Sequence, residues 1–476
     1  MCGILGICGG SDVSREILAG LAAIQHRGQD AAGIVTFAKT FHLEKGPGLV
    51  AEVFRDDDVA RLAAPIGLGH VRYATMGSTD ALDSQPIMVD YPFGLAMVHN
   101  GNVVNFSELR EHLYEEHHRL VDTSNDVALI LYTFASKLEK KDLKHLAVDD
   151  IFDCVESTQD EVDGAYAAIA IIANHGLLAF LDPAGIRPMV LGRRLDDSGV
   201  TYAFASETTC FDHLGFETIR DLEPGEIVFI DGDQVVHSRI GRRVRQAYCV
   251  FEYIYFARED AVMHNRLVAS ERVRIGKRLA PTFKAAGLVP DIVIDVPSSA
   301  YFYASAMAEE LGIPYRRGLA KNHHVGRSFI TSGQEERQAT VAKKLNPIRD
   351  IVKGRKVAVV DDSIVRGTTS RHIVELLRRA GAAAVYMVSA APPIKHPCIY
   401  GIDMSVRGEI IAAHSEVGEI EEYLGADALV YQRLEDLQDL YRDLPCCFAC
   451  FSGEYPTEVS EEALARIEEE KLSSKR

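Results

Sequence analysis

The chain has 476 residues, 47% of them apolar and 25% charged, with a net charge of −18 and nine cysteines. That length suggests two or three domains with ordinary apolar cores, and the acidic balance excludes a surface built to bind nucleic-acid phosphates. The longest unbroken apolar run, 165–173, is far shorter than the roughly 20 residues of a membrane-spanning helix, and no basic region marks a secretory signal, so a cytoplasmic protein with reduced thiols is expected.

In chain order, the first half reads as short strands broken by a few helices. Helical spacing of apolar residues covers 13–26. Strands are predicted at 33–37, 67–73 and 94–98, and helices at 106–117 and 125–137. Strand character returns at 166–173, 177–181, 202–206 and 226–230, punctuated by Gly and Pro, and Asp231-Gly232-Asp233 suits a hairpin turn. This half is an α+β unit with antiparallel sheets. After the basic stretch 239–246 the pattern changes to a strand at 291–296, a helix at 301–311, a strand at 356–360, a helix at 368–380 and a strand at 385–390. That alternation predicts a parallel sheet of βαβ units. The segment 321–355 is polar, rich in Lys and Arg and without strand periodicity, the mark of a functional loop. The expected divisions are 2–240, 241–457 and a C-terminal helix or tail at 458–476.

The chain opens Met1-Cys2-Gly3-Ile4. Removal of Met1 would leave Cys2 with a free α-amine beside its thiol, a base and a nucleophile in one residue. Taken alone, Cys2 could equally be a small residue after the initiator. Other segments bear on it. Gln25-His26-Arg27-Gly28 lies where a helix gives way to a strand. Gly69-His70-Val71-Arg72-Tyr73-Ala74-Thr75 ends a strand with a cation. His99-Asn100-Gly101-Asn102 offers a side-chain amide and a backbone N–H at a turn, the parts of an oxyanion hole. Thr123-Ser124-Asn125-Asp126 sets a carboxylate at a helix start, where it could be only a cap.

Together these segments resemble the glutaminase domain of N-terminal-nucleophile amidotransferases. The resemblance implies an Ntn-hydrolase sandwich in which Cys2 forms a glutamyl thioester and Asn100 and Gly101 hold the oxyanion. It implies that Arg72, Thr75 and Asp126 grip the α-carboxylate and α-amine of glutamine, and that Arg27 supports the cysteine loop. Val127-Ala128 stand where relatives often have Ser-Glu.

The most informative stretch runs from Val357 through Asp361-Asp362-Ser363-Ile364-Val365-Arg366-Gly367-Thr368-Thr369-Ser370. A buried strand ends in two carboxylates, and a glycine turn leads into a helix through three hydroxyls. Ligands of open α/β sheets bind at the carboxyl ends of strands, phosphates sit against helix N-termini, and paired carboxylates suit Mg²⁺. The stretch resembles the phosphoribosyl pyrophosphate motif of type I phosphoribosyltransferases. Asp182-Pro183-Ala184-Gly185-Ile186-Arg187-Pro188, Phe251-Glu252-Tyr253-Ile254-Tyr255-Phe256-Ala257-Arg258 and Leu345-Asn346-Pro347-Ile348-Arg349 extend the resemblance over nearly the whole chain. The family it points to is the glutamine-dependent phosphoribosyl amidotransferases, which open purine synthesis.

That resemblance implies an α/β type I phosphoribosyltransferase domain after the sandwich. Asp361 and Asp362 would meet ribose hydroxyls and Mg²⁺, with Ser299 near the metal. Ser363, Arg366, Gly367, Thr368, Thr369 and Ser370 would receive the 5′-phosphate side of phosphoribosyl pyrophosphate, and Arg327 and Lys344 would neutralise departing pyrophosphate from a closing loop. Two departures are visible: Pro297-Ser298-Ser299-Ala300 replaces the commoner Pro-Asp-Ser-Gly, and His323-His324 the commoner Arg-Tyr. The implied reaction hydrolyses glutamine at Cys2, passes ammonia through an interior channel, and yields 5-phosphoribosylamine, glutamate and pyrophosphate. A homotetramer with feedback by purine nucleotides is also implied. The Asp361–Thr369 motif stands against an aminosugar synthase, and an intact Cys2 with Asn100-Gly101 against a non-catalytic sensor.

Cys447-Phe448-Ala449-Cys450 is a Cys-x-x-Cys pair, with Cys249 and Cys398 far off in sequence. Four thiolates suit a structural zinc or a 4Fe-4S cluster, and spacing does not choose. The family resemblance implies the cluster, held by Cys249, Cys398, Cys447 and Cys450, with Cys446 outside it. Cys8, Cys154 and Cys210 are expected to pack as small apolar side chains.

Overall fold

The computed structural model describes residues 1–10, 12–73, 83–197, 199–322, 345–404 and 406–474. The first half contributes thirteen strands: β1 (Gly3–Cys8), β2 (Ala31–Phe37), β3 (Phe41–Pro47), β4 (Ile66–Arg72), β5 (Ile87–Val89), β6 (Leu95–Val103), β7 (Gly164–Ile172), β8 (Gly176–Leu181), β9 (Val190–Asp196), β10 (Gly199–Ala205), β11 (Glu217–Asp221), β12 (Glu226–Asp231) and β13 (Val236–Ile240). They form a seven-stranded sheet, β11-β9-β10-β1-β4-β2-β3, and a six-stranded sheet, β13-β12-β8-β7-β6-β5.

Strand alternation decides the layers. Along β7, Tyr166, Ala168, Ala170 and Ile172 join the core beneath the helices Phe106–His117, Val127–Leu138 and Val148–Glu161. Ala167, Ile169 and Ile171 join a second core with Ile4, Leu68 and Phe204 from the other sheet. A third core sets Leu5, Ile7 and Val71 against the helix Ser14–Ala23. The result is a helix–sheet–sheet–helix sandwich. The sheets approach closely enough that a Cβ on Gly6 would lie 2.7 Å from Ile169 Cγ2.

In the second half, Ile292–Asp295, Lys356–Asp361, Ala384–Ser389 and Ala428–Tyr431 form a parallel four-stranded sheet in that order. Val357, Ala358, Val359 and Val360 are fully buried, as a strand covered on both faces requires. The helices Tyr301–Leu311 and Thr368–Arg379 fall where the sequence pattern puts them. The 18-residue helix Val268–Ala285 is not foreseen, because Gly276 and Pro281 interrupt its apolar period.

Within 321–355 the expectation of no strand is corrected. Leu319–Lys321 pairs antiparallel with Leu345–Pro347, and Arg349–Val352 makes a helical turn. Three-residue strands are too short to show a period of two. Among the described residues no helix is long and apolar enough to cross a membrane.

Candidate active site

Cys2 stands just before β1. Gly3 pairs with Val71, so Cys2 and Arg72 lie at the same end of neighbouring strands. The Cys2 N–H donates to Asn100 Oδ1 at 3.0 Å, and Arg27 Nε donates to the Cys2 carbonyl at 3.0 Å. The thiol is half-buried, with Sγ 3.9 Å from the Tyr73 carbonyl. Asn100 is fully buried on β6. With its oxygen engaged by Cys2, its Nδ2 has no partner among the described residues. A buried donor without an acceptor costs about 1–3 kcal/mol, so this N–H is a standing reserve for an oxygen brought by a substrate. Beside it, a Cβ on Gly101 would lie 1.9 Å from the Ala165 carbonyl oxygen, and only glycine fits.

Asp126 opens the helix Val127–Leu138 but makes no cap hydrogen bond. Asn125 Oδ1 takes the Val127 N–H instead, at 3.2 Å. Asp126 Oδ2 accepts from the Val103 N–H at 3.0 Å, and Oδ1 lies 3.2 Å from His99 Nε2, off the line of a good hydrogen bond. The state of His99 follows from its neighbours. Its backbone N–H can only donate, so the Gln85 atom 2.7 Å away is Oε1. Gln85 Nε2 therefore donates, to Asn125 Oδ1 at 3.3 Å and to His99 Nδ1 at 2.9 Å. His99 Nδ1 is then the acceptor, and Nε2 carries its N–H on the side of Asp126. Burial acts to raise the Asp126 carboxyl, but His99, the Val103 N–H and Arg72 outweigh it and hold the group below its ordinary range. An anion close enough to Arg72 to feel its charge is suited to an α-ammonium. Thr75 lies outside the described residues.

The second constellation is at the end of the strand Lys356–Asp361. Asp361 and Asp362 are both buried. Ser299 Oγ donates to Asp362 Oδ2 and Ser363 Oγ to Oδ1, the latter at 2.8 Å. Burial and the like charge of Asp362 push the Asp361 carboxyl well above its ordinary range, and burial raises that of Asp362. Gly367 has φ +74°, and a Cβ there would lie 2.9 Å from Ile411 Cδ1. This turn feeds the helix Thr368–Arg379, whose first residues are Thr368, Thr369 and the buried Ser370. Arg366 stands apart, because its exposed guanidinium pairs with Glu409. Arg327 and Lys344 lie outside the described residues.

A family model described as a glutamine amidotransferase domain matches residues 70–213. The chain is 44% identical to the amidophosphoribosyltransferase of Haemophilus influenzae, over 98% of this chain and 95% of that one. It is 40% identical to that of Schizosaccharomyces pombe, over 100% and 94%. The solved structure of glutamine phosphoribosylpyrophosphate amidotransferase from B. subtilis, complexed with ADP and GMP, superposes with a TM-score of 0.85 at 37% identity, covering 97% of this chain and 98% of that one. The chain belongs to the amidophosphoribosyltransferase family. Amidophosphoribosyltransferases are glycosyltransferases with glutamine amidotransferase activity and catalyse the first committed step of purine biosynthesis. The sandwich and the parallel-sheet domain are the amidophosphoribosyltransferase fold.

An amidophosphoribosyltransferase must join two chemistries, and buried contacts between its halves converge on Arg27. Its guanidinium is bidentate to Glu252, at 3.0 and 2.9 Å, and also pairs with Glu207. His26 Nε2 lies 2.9 Å from Glu207 Oε1, and the Phe256 ring stacks 4.8 Å from the guanidinium. Burial would raise Glu207, but His26 and Arg27 bring its carboxyl down to about 2. Arg272, also buried, donates to the Tyr253, Tyr255 and Ala257 carbonyls and fixes the helical turn that carries Glu252. On β6, Asn102 Nδ2 donates to the Ile399 carbonyl at 2.9 Å, and a Cβ on Gly401 would lie 2.8 Å from Gly101 O. Glu207, Arg272, Gln85 and Asn102 were not singled out in the sequence. Glu252 carried the one usable signal, a lone carboxylate inside the apolar run 250–254.

Cys249, Cys398, Cys447 and Cys450 line one small apolar cavity, with Arg187 in its wall and Cys446 outside it. Burial pushes the thiols of Cys249, Cys447 and Cys450 up. Among the described residues no three His, Cys, Asp or Glu side chains gather tightly enough to grip a single ion. Four thiols spread around a shared cavity, with a cation beside them, fit a thiolate-bound multi-iron group by donor chemistry. Cys8, Cys154 and Cys210 are buried in apolar cores, apart from that cavity.

Proposed function

We propose that Cys2 is the glutaminase nucleophile and that its ammonia is consumed at Asp361–Ser370. The observation that carries this reading is the buried, unpartnered Asn100 Nδ2 beside Cys2. Removal of Met1 frees the Cys2 amine within reach of Asn100. The amine takes the thiol proton, and Sγ attacks the glutamine side-chain carbonyl carbon. The carbonyl oxygen gains charge and is received by Asn100 Nδ2 and the Gly101 N–H. The Cys2 ammonium returns that proton to the leaving nitrogen, collapse expels ammonia and leaves a glutamyl thioester, and water hydrolyses the thioester to glutamate and the free thiol. Arg72 and Asp126 hold the α-carboxylate and α-ammonium, with Thr75 in the same group, and Arg27 fixes the Cys2 carbonyl.

Ammonia then crosses the interior between the halves, where exclusion of water keeps it unprotonated and nucleophilic. It attacks C1 of phosphoribosyl pyrophosphate, the C1–O bond to pyrophosphate breaks, and loss of a proton gives 5-phosphoribosylamine. Asp361 and Asp362 orient the ribose hydroxyls, and Ser363, Gly367, Thr368, Thr369 and Ser370 receive the 5′-phosphate. Arg366 joins them by releasing Glu409. Arg327 and Lys344 meet pyrophosphate. Bound Mg²⁺, held by Asp361 and Asp362 with Ser299 nearby, supplies charge neutralisation of pyrophosphate.

The same reading assigns a 4Fe-4S cluster to Cys249, Cys398, Cys447 and Cys450, where it would act as a structural or oxygen-sensing element. It also includes the divisions 2–240, 241–457 and 458–476, a homotetramer, cytoplasmic placement and inhibition by purine nucleotides. The test is Cys2→Ala, assayed for pyrophosphate release with glutamine and with ammonium. Loss of the glutamine-dependent rate with the ammonium-dependent rate retained is expected. Unchanged glutamine turnover would sink the assignment.

A further inference from the structure

We propose that Arg187 is the counter-ion of the four-cysteine cavity and ties it to the nucleophile through Glu252. The inference rests on the 4Fe-4S reading of that cavity. Arg187 is fully buried, and its Nε and Nη2 have no partner among the described residues. Its Nη1 meets Met1 Sδ, on the residue whose removal frees Cys2, and lies 3.6 Å from Glu252 Oε1. A guanidinium with unused N–H groups is costly to bury, and this one lines the same cavity as Cys249, Cys398, Cys447 and Cys450.

The fold holds it there deliberately. Asp182 accepts from the backbone N–H groups of Ala184, Ile186 and Arg187, at 3.0 to 3.4 Å, and so shapes the loop that presents Arg187. The same loop is fastened across to the second half by Ala247 N–H to Ala184 O at 2.9 Å and Cys249 N–H to Ile186 O at 3.3 Å.

A cluster held by four thiolates is net anionic and carries sulfides that accept hydrogen bonds. The Arg187 guanidinium, in the wall of that cavity, supplies the charge. On its other side Arg187 shares Glu252 with Arg27, and Arg27 holds the Cys2 carbonyl. Loss of the anion leaves Arg187 with Glu252 as its one buried partner, in competition with Arg27. Arg187 is therefore a positioning residue, and no electron transfer is involved.

The test uses full-length protein purified anaerobically, as wild type, Arg187→Met and Arg187→Lys. Iron and acid-labile sulfide per chain are measured, then the decay of visible absorbance under an iron chelator. Wild type is expected to hold iron and sulfide. In Arg187→Met the cluster should be lost on the order of tenfold faster, and Arg187→Lys, which keeps the charge but not the fork, should fall between. Circular dichroism reports folding, and if Arg187→Met does not fold, a faster loss in Arg187→Lys than in wild type carries the test. Loaded wild type with equal decay in the folded variants overturns the role of Arg187 alone. Wild type without iron and sulfide overturns the cluster reading and this inference together.

Discussion

Two buried groups of carboxylates in this chain are handled in opposite ways. Glu207 and Glu252 are surrounded by Arg27, His26 and Arg187, and the Glu207 carboxyl is brought down to about 2. Asp361 and Asp362 sit side by side, Asp362 accepting from the Ser299 and Ser363 hydroxyls and Asp361 from the Asp362 backbone N–H, and both carboxyls are pushed up. The carboxylates of the first group have their cations without a ligand, and the group holds the two halves and the Cys2 carbonyl together. The second becomes favourable as a pair of anions when a cation and substrate arrive. Internal compensation marks a structural joint, and its lack marks a binding site.

The largest break in this comparison is Arg27→Met. It leaves two buried carboxylates short of a cation and should cost about 3–5 kcal/mol of stability, read by chemical denaturation. A loss under 1 kcal/mol would show that the joint is not held by charge. Next comes pH. The folded carboxyl of Glu207 lies near 2 and the unfolded one near 4.3, so its contribution is complete above the unfolded value and is lost as pH falls toward 2. That contribution is on the order of 3 kcal/mol, and Glu207→Gln should flatten the pH dependence of denaturation in that window.

The aspartate pair has the opposite sign. Its folded values are raised, so without Mg²⁺ stability falls as pH rises through them. Asp361→Asn should raise stability at pH 8 without Mg²⁺ by on the order of 1 kcal/mol, and Mg²⁺ should stabilise the wild type more than the variant in thermal melts. The smallest effect is expected at the exposed pair Arg366–Glu409. Glu409→Gln should change stability by less than about 1 kcal/mol while lowering KM for phosphoribosyl pyrophosphate, because Arg366 is released toward the phosphate.

The same contrast explains what the sequence made legible. Asp361 to Ser370 are contiguous, so strand, carboxylates, glycine turn and helix start can be read as one unit. Asp126 was visible for a similar reason, at the start of a periodic element, whereas Asn100 and Gly101, expected at a turn, lie inside β6, paired with Ala167 and Tyr166. The joint could not be read this way, because Arg27 meets Glu207 across 180 positions and Glu252 across 225. Spacing carries no information about such contacts. The helix Val268–Ala285 was hidden by Gly276 and Pro281, and the pairing of Leu319–Lys321 with Leu345–Pro347 by its brevity. Gln85 gave no local cue, yet it fixes the tautomer of His99.

The central claim is that Asn100 serves the glutamine half of the reaction and not the phosphoribosyl half. Pyrophosphate release by Asn100→Ala, measured with glutamine and with ammonium, tests it most directly. The glutamine-dependent rate should fall roughly a hundred- to a thousand-fold while the ammonium-dependent rate stays at the wild-type level. An equal fall in both rates, in folded protein, would contradict the account.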